Sequence, residues 1–340
     1  MKKQIFNIIS PFSNCFTTSL YQKLSGKHLV FPFYHSVAFQ PLPHIDSLYT
    51  LRTEMNFRND IDYLLAHFNP IEPQKALTFH HEKKHPAKPS FLLSFDDGLS
   101  GFYHHESHLL YKKGIPAIVF LNSAFIDNKD LFYRYKASLL INHLHENPET
   151  IRLISVFLAD HGIIKKDLSE ALLTIKFQDQ HLLDKIANIC QYSFKDFLQK
   201  QQPYLTTEQI KELSQKGFLF GAHSIDHPKY SDIPFEEQFK QTQLSVEYVK
   251  NKFQQPLSLF AFPFTDDGVS VKLFNTFFDP EKTMVDFSFG GAGIKNDISP
   301  RHIQRIPMEG IHASGRKIIK TEYLYYMVKS LFGKNTIRRS

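Results

Sequence analysis

The stretch Phe91-Leu92-Leu93-Ser94-Phe95-Asp96-Asp97-Gly98 constrains this chain more than any other. It begins as a short apolar run of the kind that forms a strand buried on both faces. It ends in two adjacent carboxylates and a glycine, where such a strand must turn. Side chains alternate in direction along a strand, so Asp96 and Asp97 cannot play the same role. One can reach a metal while its neighbour addresses a different atom of the same pocket. Adjacent carboxylates also repel, so a proton is easily shared unless a cation sits nearby. On these residues alone, an ordinary Asp-Gly turn after a strand accounts for the pattern equally well.

A second stretch, Gly221-Ala222-His223-Ser224-Ile225-Asp226-His227-Pro228, shifts the balance. Two histidines four apart suit a metal pair on one helical face, but Pro228 disfavours helical dihedrals at His227. The pair therefore belongs on a turn after a strand spanning Phe218 to Ala222. Histidines spaced to converge at a strand end, like the aspartates, make a candidate metal site.

Together the two stretches resemble the polysaccharide deacetylases, the NodB-like family also called carbohydrate esterase family four. Ser94-Phe95-Asp96-Asp97-Gly98 is similar to that family's first motif, and His223-Ser224-Ile225-Asp226-His227-Pro228 to its second. The resemblance runs from about Val30 to Arg305, apart from a long middle insertion. It implies that Asp96 is the catalytic base and that Asp97, His223 and His227 bind a divalent metal. Zinc suits such nitrogen and oxygen donors, and cobalt, nickel or manganese would fit too.

At 340 residues, with 42% hydrophobic and 22% charged residues, the composition is that of a globular protein with a large core. The formal charge of +6 makes anionic glycans, membrane surfaces or nucleic acid conceivable partners. No nucleic-acid motif accompanies it, so a merely basic surface is expected and no nucleic acid. Cys15 and Cys190 lack metal-type spacing and make no disulfide framework. Near the start, the apolar run is broken by Asn7 and ends at Pro11, short of a secretory core, and no segment reads as a membrane span. The expected location is the cytoplasm or the membrane periphery. Residues 1–28 read as an N-terminal extension, either packed or an amphipathic surface helix.

The body, residues 29–315, alternates strand and helix patterns. Leu29 to Val37 reads as the first core strand and ends in Tyr34-His35, so His35 is a candidate pocket residue. Phe57, Ile61, Leu64, Leu65 and Phe68 mark an amphipathic helix, and His80 to Pro89 reads as a solvated loop without a metal. A helix from about Phe102 closes at Gly114, and Ile115 to Asn122 is the next strand. Residues 125–202 carry helical spacing with no strand run, a helical insertion suited equally to a substrate wall or to packing. Thr206-Thr207-Glu208-Gln209 fits a capping box. Strands follow at Leu257 to Phe264 and Met284 to Phe289, then a glycine-rich turn at Gly290 to Gly293. Residues 316–340 read as a closing helix and a short basic tail. Strand–helix alternation with chemistry at strand ends predicts an α/β fold with an active site at one face. Periodicity alone does not separate a barrel from an open sheet. The resemblance implies a distorted (β/α) barrel of the polysaccharide deacetylase type.

The chain departs from the family pattern in two places. Phe260-Ala261-Phe262-Pro263-Phe264 resembles the third motif, but Ala261 stands where many members carry the arginine that orients the base. Pro263 and Phe264 are still expected to line the pocket, and Arg305 either supplies the missing charge or pairs on the surface. The motifs that supply a leaving-group histidine are not recognisable, which leaves His302 and His312 as candidates. A second Asp-Asp-Gly, at Asp266-Asp267-Gly268, reads mainly as a turn. The resemblance implies a hydrolase that removes acetyl from an N-acetylated amino sugar or glycan. A degenerate member that only binds sugar, and an O-acetyl esterase, are the competing expectations.

Overall fold

Eight short strands form the central sheet of the computed structural model, which describes residues 8–310 and 312–339. They are β1 (Pro32–Tyr34), β2 (Leu93–Phe95), β3 (Ala117–Leu121), β4 (Leu219–Ala222), β5 (Leu259–Ala261), β6 (Phe287–Gly290), β7 (His302–Gln304) and β8 (Ile306–Pro307). Their order is β7-β6-β5-β4-β3-β2-β1-β8, and every pair is parallel. The two edge strands are consecutive in the chain, separated only by Arg305. The sheet therefore curls into a nearly closed barrel whose seam is a single residue. Met1–Asn7, the basic start of the N-terminal segment, lies outside the described residues.

The strands obey the two-residue alternation, but both faces are apolar because helices cover the outside. Leu93, Phe95, Val119, Leu121, Phe220 and Phe260 join the outer core beneath the helices. Leu92, Ile118, Phe120, Leu259, Ala261 and Phe289 fill the barrel interior. Gly221 belongs to the inner set, and a Cβ there would sit 2.6 Å from the Phe120 ring. Only glycine leaves room for that ring.

The expected strand Leu29–Val37 is divided between sheets. Leu29–Val30 pairs with Ser90–Phe91, which also pairs with Asn69–Pro70, in a small separate sheet. Pro32–Tyr34 then enters the barrel, and Val37–Ala38 pairs with Arg52–Thr53. The expected helices form at Glu54–His67, at Phe102–Glu106 continued by Ser107–Lys112, at Thr207–Gln215 and at Gly315–Leu331, and a further helix spans Phe235–Lys252. Thr206 and Gln209 make the reciprocal capping bonds the sequence suggested, and Gly114 adopts φ 64° after its helix. His80 and His81 end the helix Pro73–His81 rather than starting a loop. Among the described residues, no helix is long and apolar enough to cross a membrane.

Between β3 and β4, residues 125–202 fold into five α-helices, from Tyr133–Glu146 to Phe194–Gln201. They build a hydrophobic core of their own, which also takes in Ile45, Leu99 and Tyr204. A second device fixes the end of β1. The helix that follows the double-aspartate turn brings Glu106 inward, where its Oε1 accepts from the Val37 amide at 2.7 Å and the Ser36 hydroxyl at 3.2 Å. Its Oε2 is buried without a partner, and burial raises the carboxyl to about 7.

Raised above its ordinary 4.5, Glu106 binds a proton more tightly in the folded chain than in the unfolded one. Its contribution is therefore present at acid pH and is lost as pH rises through about 7. Glu106→Gln, which cannot ionise, should gain up to about 3 kcal/mol on the wild type between pH 4.5 and pH 8, judged by the size of this shift. Denaturant titration at the two pH values measures this, and a constant difference would exclude an ionising Glu106.

Candidate active site

The site is built at the C-terminal ends of the barrel strands. Leu92, Ser94 and Asp96 form the inward-facing set on β2, so alternation alone carries the Asp96 carboxylate into the barrel mouth. Asp97 would face outward if the strand continued. Instead its backbone turns left-handed, at φ 70°, and its side chain enters the same pocket. That conformation is uncommon for a residue with a side chain and is found where surrounding structure imposes it. Gly98, at φ 63°, continues the turn, and a Cβ there would lie 2.8 Å from Leu121.

Asp97 faces the two histidines. Its Oδ1 is 3.2 Å from His227 Nε2 and 3.5 Å from His223 Nε2, and has no hydrogen-bond partner. Its Oδ2 accepts from the Tyr135 hydroxyl at 2.7 Å. His223 follows β4 directly and donates from Nδ1 to the Ala261 carbonyl at 2.8 Å, which leaves the Nε2 lone pair for the pocket. His227 takes the left-handed φ of 63° just before Pro228, and its amide donates to Ser224 Oγ. The sequence placed this pair on a turn rather than a helix, and the backbone agrees. The three ligand atoms lie within 4.8 Å of one another. Burial pushes His223 down to about 4, so it is a neutral imidazole at neutral pH. Burial opposes charge on Asp97, but His227, His35 and His223 together hold its carboxyl well below the ordinary range. An unpartnered buried carboxylate oxygen facing two imidazole nitrogens fits a divalent cation.

Asp96 is held differently. Arg305 donates to its Oδ1 at 2.7 Å and its Oδ2 at 2.8 Å, a two-pronged pair, and also to Ser94 Oγ and the Gly290 carbonyl. The guanidinium lies 4.3 Å from the centroid of Phe33. Burial works against ionisation of Asp96, but the adjacent Arg305 charge, with His223, lowers its carboxyl below the usual value. Of the two sequence readings of Arg305, the structure selects the buried pair with Asp96.

These groups open on a cavity of about 430 Å³. His35 and Phe264 line it, as the sequence suggested. Pro263 is buried and is not part of the lining. The structure also does not bring His302 or His312 here. His302 is fully buried beside β6, where Nδ1 meets Ser288 Oγ at 2.7 Å and Nε2 meets Asp266 at 3.1 Å. His312 is exposed and lines none of the cavity. Asp266 is more than a turn residue. It is buried and accepts from Gln304 and from Arg339, which also bonds Asp297. Asp266, Asp297 and His302 have metal-like proximity, but Arg339 already supplies the positive charge between them.

Several pocket residues escaped the sequence reading. Glu309 accepts from the His35 backbone amide at 2.9 Å and meets His35 Nδ1 at 2.6 Å. Burial disfavours a charged His35, but the bond and charge of Glu309, with Asp97 and Asp96, raise it to about 9. The insertion supplies Phe132, Arg134 and Leu173 to the wall and Tyr135 to Asp97. Its only sequence signal is the aromatic cluster Phe132-Tyr133-Tyr135.

A parallel barrel with this Asp-Asp and His-His arrangement is the class of a strand-end hydrolase. The chain belongs to the polysaccharide deacetylase family, whose model matches residues 83–273. No curated protein sequence matches it. Among solved structures it is similar to the Streptococcus pyogenes deacetylase PplD in complex with acetate, at 12% identity and a TM-score of 0.54, over 86% of this chain and 97% of that one. It is also similar to IcaB from Ammonifex degensii, at 15% identity and a TM-score of 0.52, over 87% of this chain and 96% of that one. At these identities the likeness is one of fold.

The Asp96–Arg305 pair makes a direct prediction. Arg305→Met leaves a buried carboxylate without its cation and should cost about 3–5 kcal/mol of stability. Adding Asp96→Asn to that variant should recover a large part of the loss. Chemical denaturation of the two single variants and the double variant reads the coupling, and additive losses would mean the pair is not coupled.

Proposed function

We propose that this chain is a metal-dependent deacetylase that releases acetate from N-acetylated amino-sugar units of a glycan. The observation that carries this reading is the unpartnered Asp97 Oδ1 facing two imidazole nitrogens, with Asp96 beside it. Asp97, His223 and His227 would hold the divalent metal, for which zinc is the best match and cobalt, nickel or manganese alternatives. When bound, that metal supplies a water of lowered pKa and polarisation of the acetyl carbonyl. Asp96 takes the proton from water, and Arg305 keeps it ionised and fixes both its oxygens. Arg305 thus stands in for the charge that Ala261 lacks.

Cleavage of a carbon–nitrogen bond also needs a proton on the leaving amine. His35 is the cavity histidine outside the Asp97, His223 and His227 group, so it takes the role first sought in His302 and His312. Glu309 engages Nδ1, which fixes the ring and leaves Nε2 as the nitrogen available to the amine. Phe264, 47% exposed at the mouth, and Phe132 offer apolar faces to a sugar ring, and Arg134 a charged donor.

Acetate release from a panel of N-acetylated amino-sugar oligomers, with metal content measured in parallel, tests the activity. Asp96→Asn should retain metal and lose about 10²–10⁴ in rate, the usual worth of a general base. Asp97→Asn should lose metal affinity and regain activity partly on metal addition. The reverse pattern would exchange the two roles, and metal-loaded wild type that binds oligomers without releasing acetate would be a binding protein.

The role of His35 has its own measurement. His35→Gln should lower acetate release from an amide by about 10²–10⁴. It should leave hydrolysis of 4-nitrophenyl acetate nearly unchanged, because that phenolate departs without a proton. Equal losses on both substrates would make His35 a positioning residue instead.

A further inference from the structure

The described N-terminal segment and the closing helix meet on one face of the molecule, and both ends of the sequence differ in composition from the rest. No acidic residue precedes Asp46, and none follows Glu322, so all 34 acidic residues lie between. The described N-terminal segment contains the turn Ser10–Asn14 and the helix Thr18–Ser25. Its buried row faces the protein. Tyr21 stacks on Tyr323 of the helix Gly315–Leu331, Thr18 bonds Tyr63, and Gln22 donates to the His67 carbonyl. Ile8, Phe12, Phe16, Leu20 and Leu24, four residues apart throughout, are 37–68% exposed.

The closing helix adds Leu331 and Phe332, 82% and 70% exposed. Leu24 and Leu331 line one cleft together with Leu324 and Met327. Surface residues of this size are ordinarily scattered, and the cleft that Leu24 and Leu331 share marks an interaction face. Lys23, Lys329 and Lys334 stand in the same acid-free segments. Beside them opens a depression of about 480 Å³ lined by Lys27, His28, Lys83, Lys84, His85 and Lys295. Lys27 lies 5.0 Å above the Tyr326 ring, which joins the basic depression to the apolar cleft. The acids nearby are paired, Glu82 with Lys84 and Asp297 with Arg339.

We infer that this face docks the protein on an anionic lipid bilayer, its apolar side chains entering the acyl boundary and its cations meeting headgroup phosphates. Apolar anchors flanked by lysines, with Glu82 and Asp297 beside them already paired, are the chemistry of an interfacial surface. A second copy of the chain fits less well. A two-fold contact brings each patch against itself, here cations against cations, with Glu82 and Asp297 already engaged by Lys84 and Arg339. The placement also suits catalysis. Lys27, His28 and Pro300 precede β1 and β7, at the end of the barrel opposite the cavity. Docking there leaves the cavity mouth free for a polymer.

The test is flotation of the full-length protein with phosphatidylcholine vesicles, with and without about 30% phosphatidylglycerol. Wild type should float with the anionic vesicles, and added salt should weaken this. Phe12→Ser, Leu24→Ser, Leu331→Ser and Phe332→Ser combined should reduce partitioning by about tenfold or more. Lys23→Glu, Lys329→Glu and Lys334→Glu combined should do so independently, which covers a folding defect in the first variant. Both variants should keep a cooperative thermal transition near the wild-type midpoint, since the substituted side chains are exposed apart from Lys329, which is half-buried over the Tyr325 ring. Wild type that stays with the unbound protein, or variants that float equally well, would overturn the inference. So would a wild-type dimer that the serine variant converts to monomer, because a second copy would then cover the face.

Discussion

A buried ion pair between Asp96 and Arg305 joins the architecture of this protein to its chemistry. Arg305 is the single residue between β7 and β8, so it sits where the barrel closes. Its guanidinium reaches across the interior to a carboxylate 209 residues earlier in the chain. Burying both charges is costly, and only a two-pronged bond supported by further acceptors offsets most of that cost. Here Ser94 and the Gly290 carbonyl accept two more of the donors, and the Phe33 ring lies beneath the guanidinium. A buried pair of this kind is weak evidence for stability in itself. Its consequence is a fixed geometry: Asp96 cannot swing toward the histidines, so Asp97 alone faces them.

What could be read in the sequence follows from range. The four residues Asp96, Asp97, His223 and His227 lie in two short motifs, and each motif carries its own strand and turn signals. Alternation, the glycine after Asp97 and the proline after His227 are local, so the strand-end placement of both pairs was legible. Ala261 announced a missing charge, but nothing local said whether Arg305 would turn inward. Glu309 reaches His35 over 274 residues, and Tyr135 reaches Asp97 from a helix whose spacing reads only as core. Such partners are fixed by the closing of the barrel, which no window of sequence contains. The strand Leu29–Val37 failed for a related reason: one apolar run serves three sheets, and periodicity does not mark where it leaves each.

The second Asp-Asp-Gly shows how the same residue types reach a different end. Asp266, Asp297 and His302 approach one another as closely as the three residues of the active site do. The difference is what completes each cluster. At the active site the Asp97 oxygen between the histidines has no partner, whereas at Asp266 the carboxylate is met by Gln304, His302 and Arg339. Arg339 comes from the basic end of the chain, and its side chain is 3% exposed, so this part of the tail is tied to the barrel. One acidic cluster calls for a cation, and the other already holds one within the chain.

The barrel therefore has two ends with different physical demands. At the C-terminal ends of the strands, desolvation and opposed charges set the protonation states of Asp96, Asp97, His223 and His35. There the helical insertion closes one side, so the wall is made by a segment with a hydrophobic core of its own. A wall that folds around its own core can vary in length without disturbing the strands that carry the four motif residues. At the opposite end the helix Thr18–Ser25 packs on the closing helix through Tyr21 and Tyr323, while Leu24, Leu331 and Phe332 remain exposed. Neither feature is needed to close the barrel. Barrel closure fixes the geometry of Asp96 and Asp97, and the insertion adds Phe132, Arg134 and Leu173 to the cavity wall.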